Sequence, residues 1–329
     1  MTEASVRHVF ITGALGFIGR RLAQRYRDAG ARVTGVDLRA DAVLGVTAAD
    51  ITTPGSWQEA LRGAELVVHT AARVGMSGDA ESFWRINCLG TRHVLDAAGR
   101  AGVQRLVHIS SIVSFGFDYP DGVDEHHPLR PNGVPYVDTK VASEQAVLQA
   151  HAAGEVPCTI VRPGDVYGPG SHFWTVTPVR EIKAGRFLLP AMGHGHLTPV
   201  FVDDLVDGIV RAGASSDAAG QVFTVTGGAA VEAREFFGHY ARMLGKRRVP
   251  VAPTAVVLAI AATAGRFIGS GEVTTAAVRY IARTGGYSIE KARTRLGYRP
   301  AVDLDEGMRR SEAWLRETGL LSGAPPPAA

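Results

Sequence analysis

The sequence predicts an α/β fold, a doubly wound parallel sheet with helices on both faces, followed by a smaller, mostly helical C-terminal lobe. Three observations predict it. Short apolar runs alternate with helical patterns through the first 165 residues. A glycine-rich turn directly follows the first of those runs. Beyond residue 165, helical segments dominate and strand candidates become scarce. Continuous apolar strands separated by helices mean a sheet covered on both faces, which is the parallel arrangement.

The elements follow in order. Val9–Thr12 reads as a buried strand, and a helix runs from the glycines through Arg27. Arg32–Val36 is a second strand and Glu65–Thr70 a third, followed by a long helix over 82–100. Arg105–Ser110 is the next strand, a helix covers about 134–153, and Cys158–Arg162 is a further strand. In the second half, helices are expected near 176–184, 203–212, 233–244, 254–267, 273–283 and 304–317. Only 198–202 and 221–225 interrupt them as strand candidates. The predicted organisation is therefore a first domain over 1–165 with returning segments near 198–226. An interleaved lobe occupies 166–322, and the proline- and alanine-rich 323–329 form a disordered tail.

Composition narrows the function classes. Apolar residues make up 46% of 329, enough for a sizeable core. Charged residues are 20%, with Lys+Arg 35 against Asp+Glu 32. That balance excludes a disordered chain and gives no footprint for nucleic acid. The longest basic run, Lys246-Arg247-Arg248, reads as a solvated helix end. Cys88 and Cys158 form no CxxC or zinc spacing and read as two reduced, buried thiols of a cytoplasmic protein. No signal peptide is visible at the N-terminus. The longest apolar stretch, 249–264, contains two prolines and falls short of the ~20 residues that span a bilayer, so membrane contact is not expected. His194-Gly195-His196 lacks a third ligand at useful spacing, and His126-His127 reads as a solvated loop, so no metal is expected.

Two constellations carry chemistry. Gly13, Gly16 and Gly19, in the segment TGALGFIG (12–19), follow a strand and open a helix in the first βαβ unit. Glycines let a backbone turn tightly and approach a pyrophosphate, and the helix N-terminus offers free N–H groups. Leu15, Phe17 and Ile18 share this loop. The context marks a Rossmann dinucleotide site although the spacing is GxxGxxG. Asp37, with Leu38 and Arg39 behind it, ends the second strand. A carboxylate there accepts from ribose hydroxyls and repels a 2′-phosphate, favouring NAD; Arg39 keeps NADP open. Asp50-Ile51 is placed to meet the adenine edge.

The second constellation is Tyr136 and Lys140, four apart on one helix face. An ammonium beside a phenol favours phenolate and lowers its pKa from ~10 toward working pH. Such a tyrosine shuttles the proton of an alcohol or ketone while a nicotinamide carries the hydride. Eight tyrosines and four lysines give about 0.1 chance matches to this spacing, yet Tyr287 and Lys291 match it too. Tyr287 follows two glycines in the second lobe with no hydroxyl partner in view, and reads as structural. Ser110 and Ser111 stand at the end of the strand predicted from Arg105, where ligands of open sheets bind, and either hydroxyl can polarise a carbonyl.

These residues resemble the extended short-chain dehydrogenase/reductase family, within the NAD-dependent epimerase/dehydratase superfamily. The resemblance rests on TGALGFIG, Asp37, Asp50-Ile51, HTAA (69–72), NCLGT (87–91), SSIVSFG (110–116), YVDTK (136–140) and RPGDVYGPG (162–170). FVDDL (201–205) and FTVTGG (223–228) extend it into the second half. It implies Tyr136 as general acid/base, Lys140 as holder of the nicotinamide ribose, and Ser111 rather than Ser110 as the substrate-polarising hydroxyl. Asn87 supports the site, and Ala71, Ala72, Pro163 and Val166 line the cofactor. It also implies a homodimer through helices 82–100 and 134–153.

The C-terminal half, with YSIEKAR (287–293) and LGYRP (296–300), is most similar to the 3β-hydroxysteroid and sterol dehydrogenase branch. That implies a hydrophobic secondary alcohol or ketone as substrate. Phe173, Trp174, Phe187 and Met192 are candidate contacts for it. Ile112-Val113 stand where a sugar-nucleotide 4,6-dehydratase carries carboxyl chemistry. Arg180, Arg186 and Arg279 could neutralise a pyrophosphate, so a nucleotide-sugar epimerase with transiently reduced NAD is the enzymatic alternative. A non-catalytic NAD(P)-binding regulator is the other, weakened by the intact Ser111, Tyr136 and Lys140.

Overall fold

The computed structural model describes residues 6–267 and 274–321. Strands β1 (His8–Thr12), β2 (Arg32–Asp37) and β3 (Val46–Ala48) form one half of a seven-stranded sheet. Helix α1 (Phe17–Asp28) connects the first two strands. The other half is β4 (Leu66–His69), β5 (Arg105–Ile109), β6 (Cys158–Pro163) and, arriving from the second half of the chain, β10 (Val222–Val225). All pairings in this sheet are parallel, in the order β10-β6-β5-β4-β1-β2-β3. The order reverses between β1 and β4, which opens the ligand crevice of a Rossmann sheet at their carboxyl ends.

Two helix layers cover the sheet. On one face lie α2 (Ala80–Trp84), α3 (Gly90–Arg100) and α4 (Pro135–Ala152). Val94, Leu95 and Ala98 of α3 and Val147 of α4 pack there on Phe10, Val67, Leu106 and Ile160. The opposite face takes α1 and a later helix, α6 (Val202–Ala214). Leu22 and Tyr26 of α1 meet Leu205, Ile209 and Val210 of α6 over Ile11 and Val68. A fully buried aliphatic side chain here contributes about 1.5–3 kcal/mol relative to exposure.

The remaining elements are β7 (Asp165–Tyr167), α5 (Thr177–Lys183), β8 (His196–Leu197), β9 (Pro199–Phe201), β11 (Val231–Glu232), α7 (Ala233–Met243), α8 (Thr254–Phe267), α9 (Thr275–Ala282), α10 (Glu290–Leu296) and α11 (Leu304–Glu317). Their own core joins Phe236, Phe237 and Tyr240 of α7 with Leu189, Phe201, Met308 and Leu315.

Several sequence expectations need correction. β3 was not expected, because Val46 is its only buried residue. The helix expected over 82–100 is α2, a π-helical turn at Arg85–Leu89, and α3. The strand expected at 198–202 is β9, and it pairs with β7 outside the main sheet; only β10 returns to that sheet. Helix α10 is an element the sequence pattern did not mark; it begins within YSIEKAR and ends at Leu296, closed by Gly297 with its φ of +64. Cys88 is half-buried rather than buried, with its thiol toward the Thr139 carbonyl. Residues 323–329 and the start of the helix expected at 273 lie outside the described residues. Among the described residues, no helix is long and apolar enough to cross a membrane.

Candidate active site

The glycine loop is backbone packed on backbone. Gly13 takes a φ of +68 and donates its N–H to the Val36 carbonyl at 2.8 Å. A Cβ on Gly13 would lie 2.9 Å from the Ala71 backbone, and one on Gly19 would lie 2.1 Å from the Gly13 carbonyl oxygen. No side chain fits at either position. The first helical bond of α1 runs from Arg20 N to Gly16 O, so the N–H groups of Phe17, Ile18 and Gly19 open the helix toward the crevice. The Asp37 carboxylate is fixed above this loop, accepting from Leu15 N at 2.9 Å and from Leu38 N at 2.8 Å. The side chains of Leu38 and Arg39 are exposed. Asp50 caps its own turn by accepting from Thr52 N, while Ile51 is buried against Gly90. Ala71 is tied to the loop through its N–H to Thr12 Oγ1, and Ala72 is half-buried beside it. Pro163 ends β6 and Val166 lies in β7, beyond the sheet's carboxyl edge. A cradle that a Cβ would fill, with a helix N-terminus and a fixed carboxylate, fits a dinucleotide.

Ser111 follows β5 and caps a short 3-10 turn at Ile112–Phe115, its Oγ accepting from Val113 N. Its hydroxyl also acts on the Tyr136 phenol, drawing that group's pKa down against burial. The neighbouring Ser110 turns the other way and donates to Glu144 at 2.5 Å. Tyr136 enters on the first turn of α4, where Pro135 starts the helix. One turn on, Lys140 Nζ donates to the Ile109 carbonyl at 2.8 Å and lies 6.0 Å from the centre of the Tyr136 ring.

Burial overturns the expected electrostatics. It pushes the Tyr136 phenol up to about 12, and the Ser111 hydrogen bond offsets only part of that. Burial likewise brings Lys140 down to about 8, against the pull of Glu144 and Cys88. Desolvation therefore outweighs the ammonium's expected effect on the phenol. Near pH 7 the pair is a neutral phenol over a charged lysine.

Asn87 sits in the π-helical turn and joins three segments. Its Oδ1 accepts from Arg73 N, and its Nδ2 donates to Arg73 O and to Thr139 Oγ1. Below it, Thr91 donates to the Asn87 carbonyl, so His69 Nε2–H donates to Thr91 and His69 Nδ1 accepts from Thr12. Burial lowers His69 to about 3 and keeps it neutral.

Four groups here were missed from the sequence. Glu144 makes a buried bidentate pair with Arg162 behind Ser110. Glu144 lies eight residues past Tyr136, a helical spacing that placed it on the same face; nothing local marked Arg162. Phe83 and Tyr280 pack with Tyr136, Val113 and Val137, rimmed by Met76, Phe117, Val134 and Trp174. Of the four expected substrate contacts, Trp174 alone touches this apolar cluster. Phe187 packs tilted against Phe237, ring centres 4.8 Å apart, in the second core, while Phe173 and Met192 are about half exposed. Arg186 is paired with Glu181, and Arg180 and Arg279 are exposed. Tyr287 is buried against Tyr119 and Phe115, away from Tyr136.

Comparison with known proteins agrees with this geometry. Residues 9–226 match the model of the NAD dependent epimerase/dehydratase family, and the chain belongs to that family. It is similar to a 2-alkyl-3-oxoalkanoate reductase of Shewanella oneidensis, 26% identical over 95% of this chain and 87% of that protein. It is also similar to 3beta-hydroxysteroid-dehydrogenase/decarboxylase isoform 1 of Arabidopsis thaliana, 27% identical over 93% of this chain and 79% of that one. Among solved structures, MoeE5 in complex with UDP-glucose and NAD shares the fold, with a TM-score of 0.78 at 24% identity over 94% of this chain and 99% of its own. The chain is thus an oxidoreductase of an NAD-dependent family.

Proposed function

We propose that the protein interconverts a secondary alcohol and a ketone on a hydrophobic, steroid-like substrate with NAD. The observation that carries this reading is Tyr136 standing within an apolar cluster, under the influence of the Ser111 hydroxyl and with Lys140 Nζ 6.0 Å from its ring centre. When bound, NAD supplies the two-electron acceptor and a cationic ring. Its pyrophosphate fits the glycine loop and the first turn of α1, and its adenosine ribose fits Asp37. Lys140 holds the nicotinamide ribose. Ser111 aligns the substrate oxygen, and Tyr136 moves its proton. As a neutral phenol, Tyr136 is set to donate in the direction of ketone reduction. Asn87 keeps α4 in register with the loop at Arg73. The dehydrogenases and reductases among the relatives support the alcohol–ketone chemistry, and the apolar side chains around Tyr136 support the substrate class.

Nicotinamide absorbance with NAD or NADP and matched panels of 3β-hydroxysteroids, simpler secondary alcohols and nucleotide sugars tests this. Steady NADH formation with a steroid is the expected result. Interconversion of nucleotide sugars without net NADH would replace the reading with that of an epimerase.

A homodimer through the 80–100 and 135–152 helices belongs to the same proposal. Trp84 and Leu89 are large apolar side chains exposed on the first of these. Sedimentation of wild type and Trp84→Arg tests it, with a monomeric wild type as the refuting result.

A further inference from the structure

We propose that Tyr280 is the specificity-determining wall of the substrate pocket and that the buried Asp165–Arg283 ion pair positions it toward Tyr136. The proposal rests on the oxidoreductase reading of this site and deepens it by naming what limits the substrate.

Asp165 begins β7, two residues past the end of β6 and so just beyond the carboxyl edge of the sheet. Its side chain is 1% exposed and that of Arg283 is 0% exposed. Three groups converge on the one carboxylate. Tyr280 donates its hydroxyl to Oδ1 at 2.5 Å, Arg283 donates Nη2 to Oδ2 at 2.9 Å, and the Thr198 N–H donates to Oδ2 at 2.8 Å. Arg283 in turn donates Nη1 to the Tyr280 carbonyl and Nε to the Tyr119 hydroxyl, and its guanidinium lies 3.5 Å from the centre of the Tyr280 ring. Tyr280 is therefore held at its hydroxyl, its ring face and its backbone by one ion pair.

The rest of the ring meets Phe117 edge-on at 5.5 Å and Trp174 at 6.0 Å, within the cluster that includes Tyr136. A buried ion pair seldom stabilises a fold beyond what apolar residues of similar volume achieve. What this pair does achieve is a fixed aromatic wall. Its chemistry also selects. Every guanidinium nitrogen of Arg283 is engaged within the protein, and the partner group is an anion. The clamp offers a pyrophosphate no free cation, and it offers a flat apolar substrate a rigid ring.

The test uses the full-length protein with NAD bound. For Tyr280→Ala, the ratio of kcat/KM for a bulky 3-ketosteroid to that for a small alicyclic ketone should rise by about tenfold, as a pocket enlarged by more than a methylene group allows. Asp165→Asn keeps the shape and an acceptor oxygen but removes the charge. It should raise the same ratio in part and should broaden the fluorine resonance of 3-fluorotyrosine placed at position 280. An unchanged ratio in folded Tyr280→Ala refutes the specificity role, and an unchanged resonance in Asp165→Asn refutes the clamp. If wild type turns over only nucleotide sugars, the functional reading fails instead. The fluorine line then still decides the clamp, and the ratio for UDP-glucuronic acid against UDP-glucose decides the wall.

Discussion

Glu144 and Arg162 form a bidentate ion pair, at 2.9 and 2.7 Å, directly behind the strand end that presents Ser111. Neither side chain is more than 4% exposed. Ser110 donates to this carboxylate, and the Ser114 hydroxyl, 3.3 Å from the same oxygen, donates to the Ser111 carbonyl at 2.8 Å, so the turn around Ser111 is anchored beside one buried charge. Removing one partner leaves the other buried and uncompensated. Arg162→Met should cost about 3–5 kcal/mol, whereas Glu144→Leu combined with Arg162→Met should recover much of it. Urea denaturation of wild type and the two variants checks this, and equal losses in the single and double variants would show that the charges are not coupled.

Tyr136→Phe removes the proton-moving hydroxyl and leaves the ring in its apolar cluster. Turnover should fall by about 10²–10⁴-fold, the usual contribution of a positioned acid or base. NAD affinity, measured by titration calorimetry, should change by less than about threefold, because the glycine loop and Asp37 are untouched. Retained full activity would remove Tyr136 from the assigned role.

Asp37 is held over the glycine loop by the N–H groups of Leu15 and Leu38. Asp37→Ala deletes the acceptor for ribose hydroxyls and the charge that repels a 2′-phosphate. The ratio of NADP to NAD affinity should rise by about tenfold or more, since one charge-assisted hydrogen bond is worth about 1.5–3 kcal/mol. An unchanged ratio would place cofactor discrimination elsewhere, with Arg39 the nearest candidate.

The glycine loop and the Tyr136–Lys140 pair were legible in the sequence because both are local. A tight backbone turn demands glycines at fixed offsets, and a helix brings residues four apart onto one face. Glu144 obeys the same helical spacing and was open to the same reasoning. Its partner Arg162 was not, because only the β5–β6 pairing brings it there. The same holds for Asp165 and Arg283, 118 residues apart, and for Tyr280, which shares an apolar cluster with Tyr136. Strand β3 was hidden because an edge strand needs little apolar surface. The expected lowering of the Tyr136 phenol failed for a related reason, since burial is a property of the assembled lobes and not of the helix that carries the residue.

Lys140 gives the fold a signed pH dependence. Its ammonium is held down to about 8 in the folded state, against an ordinary lysine value of 10.5. Between those two pH values the unfolded chain binds more protons than the folded one, so this group makes stability rise with pH across that window. Below about pH 8 both states carry the charge, and the burial penalty is present in full. Tyr136 acts in the opposite sense at higher pH, since its folded phenol keeps the proton up to about 12 while the unfolded one releases it near 10. Comparing wild type with Lys140→Met isolates the lysine. The stability advantage of Lys140→Met over wild type should shrink as pH rises from 7.5 to 9.5, followed by urea unfolding at each pH. A gap that stays constant over that range would show that Lys140 titrates at its ordinary value, and one that widens would show its folded value raised; either overturns the lowering by burial.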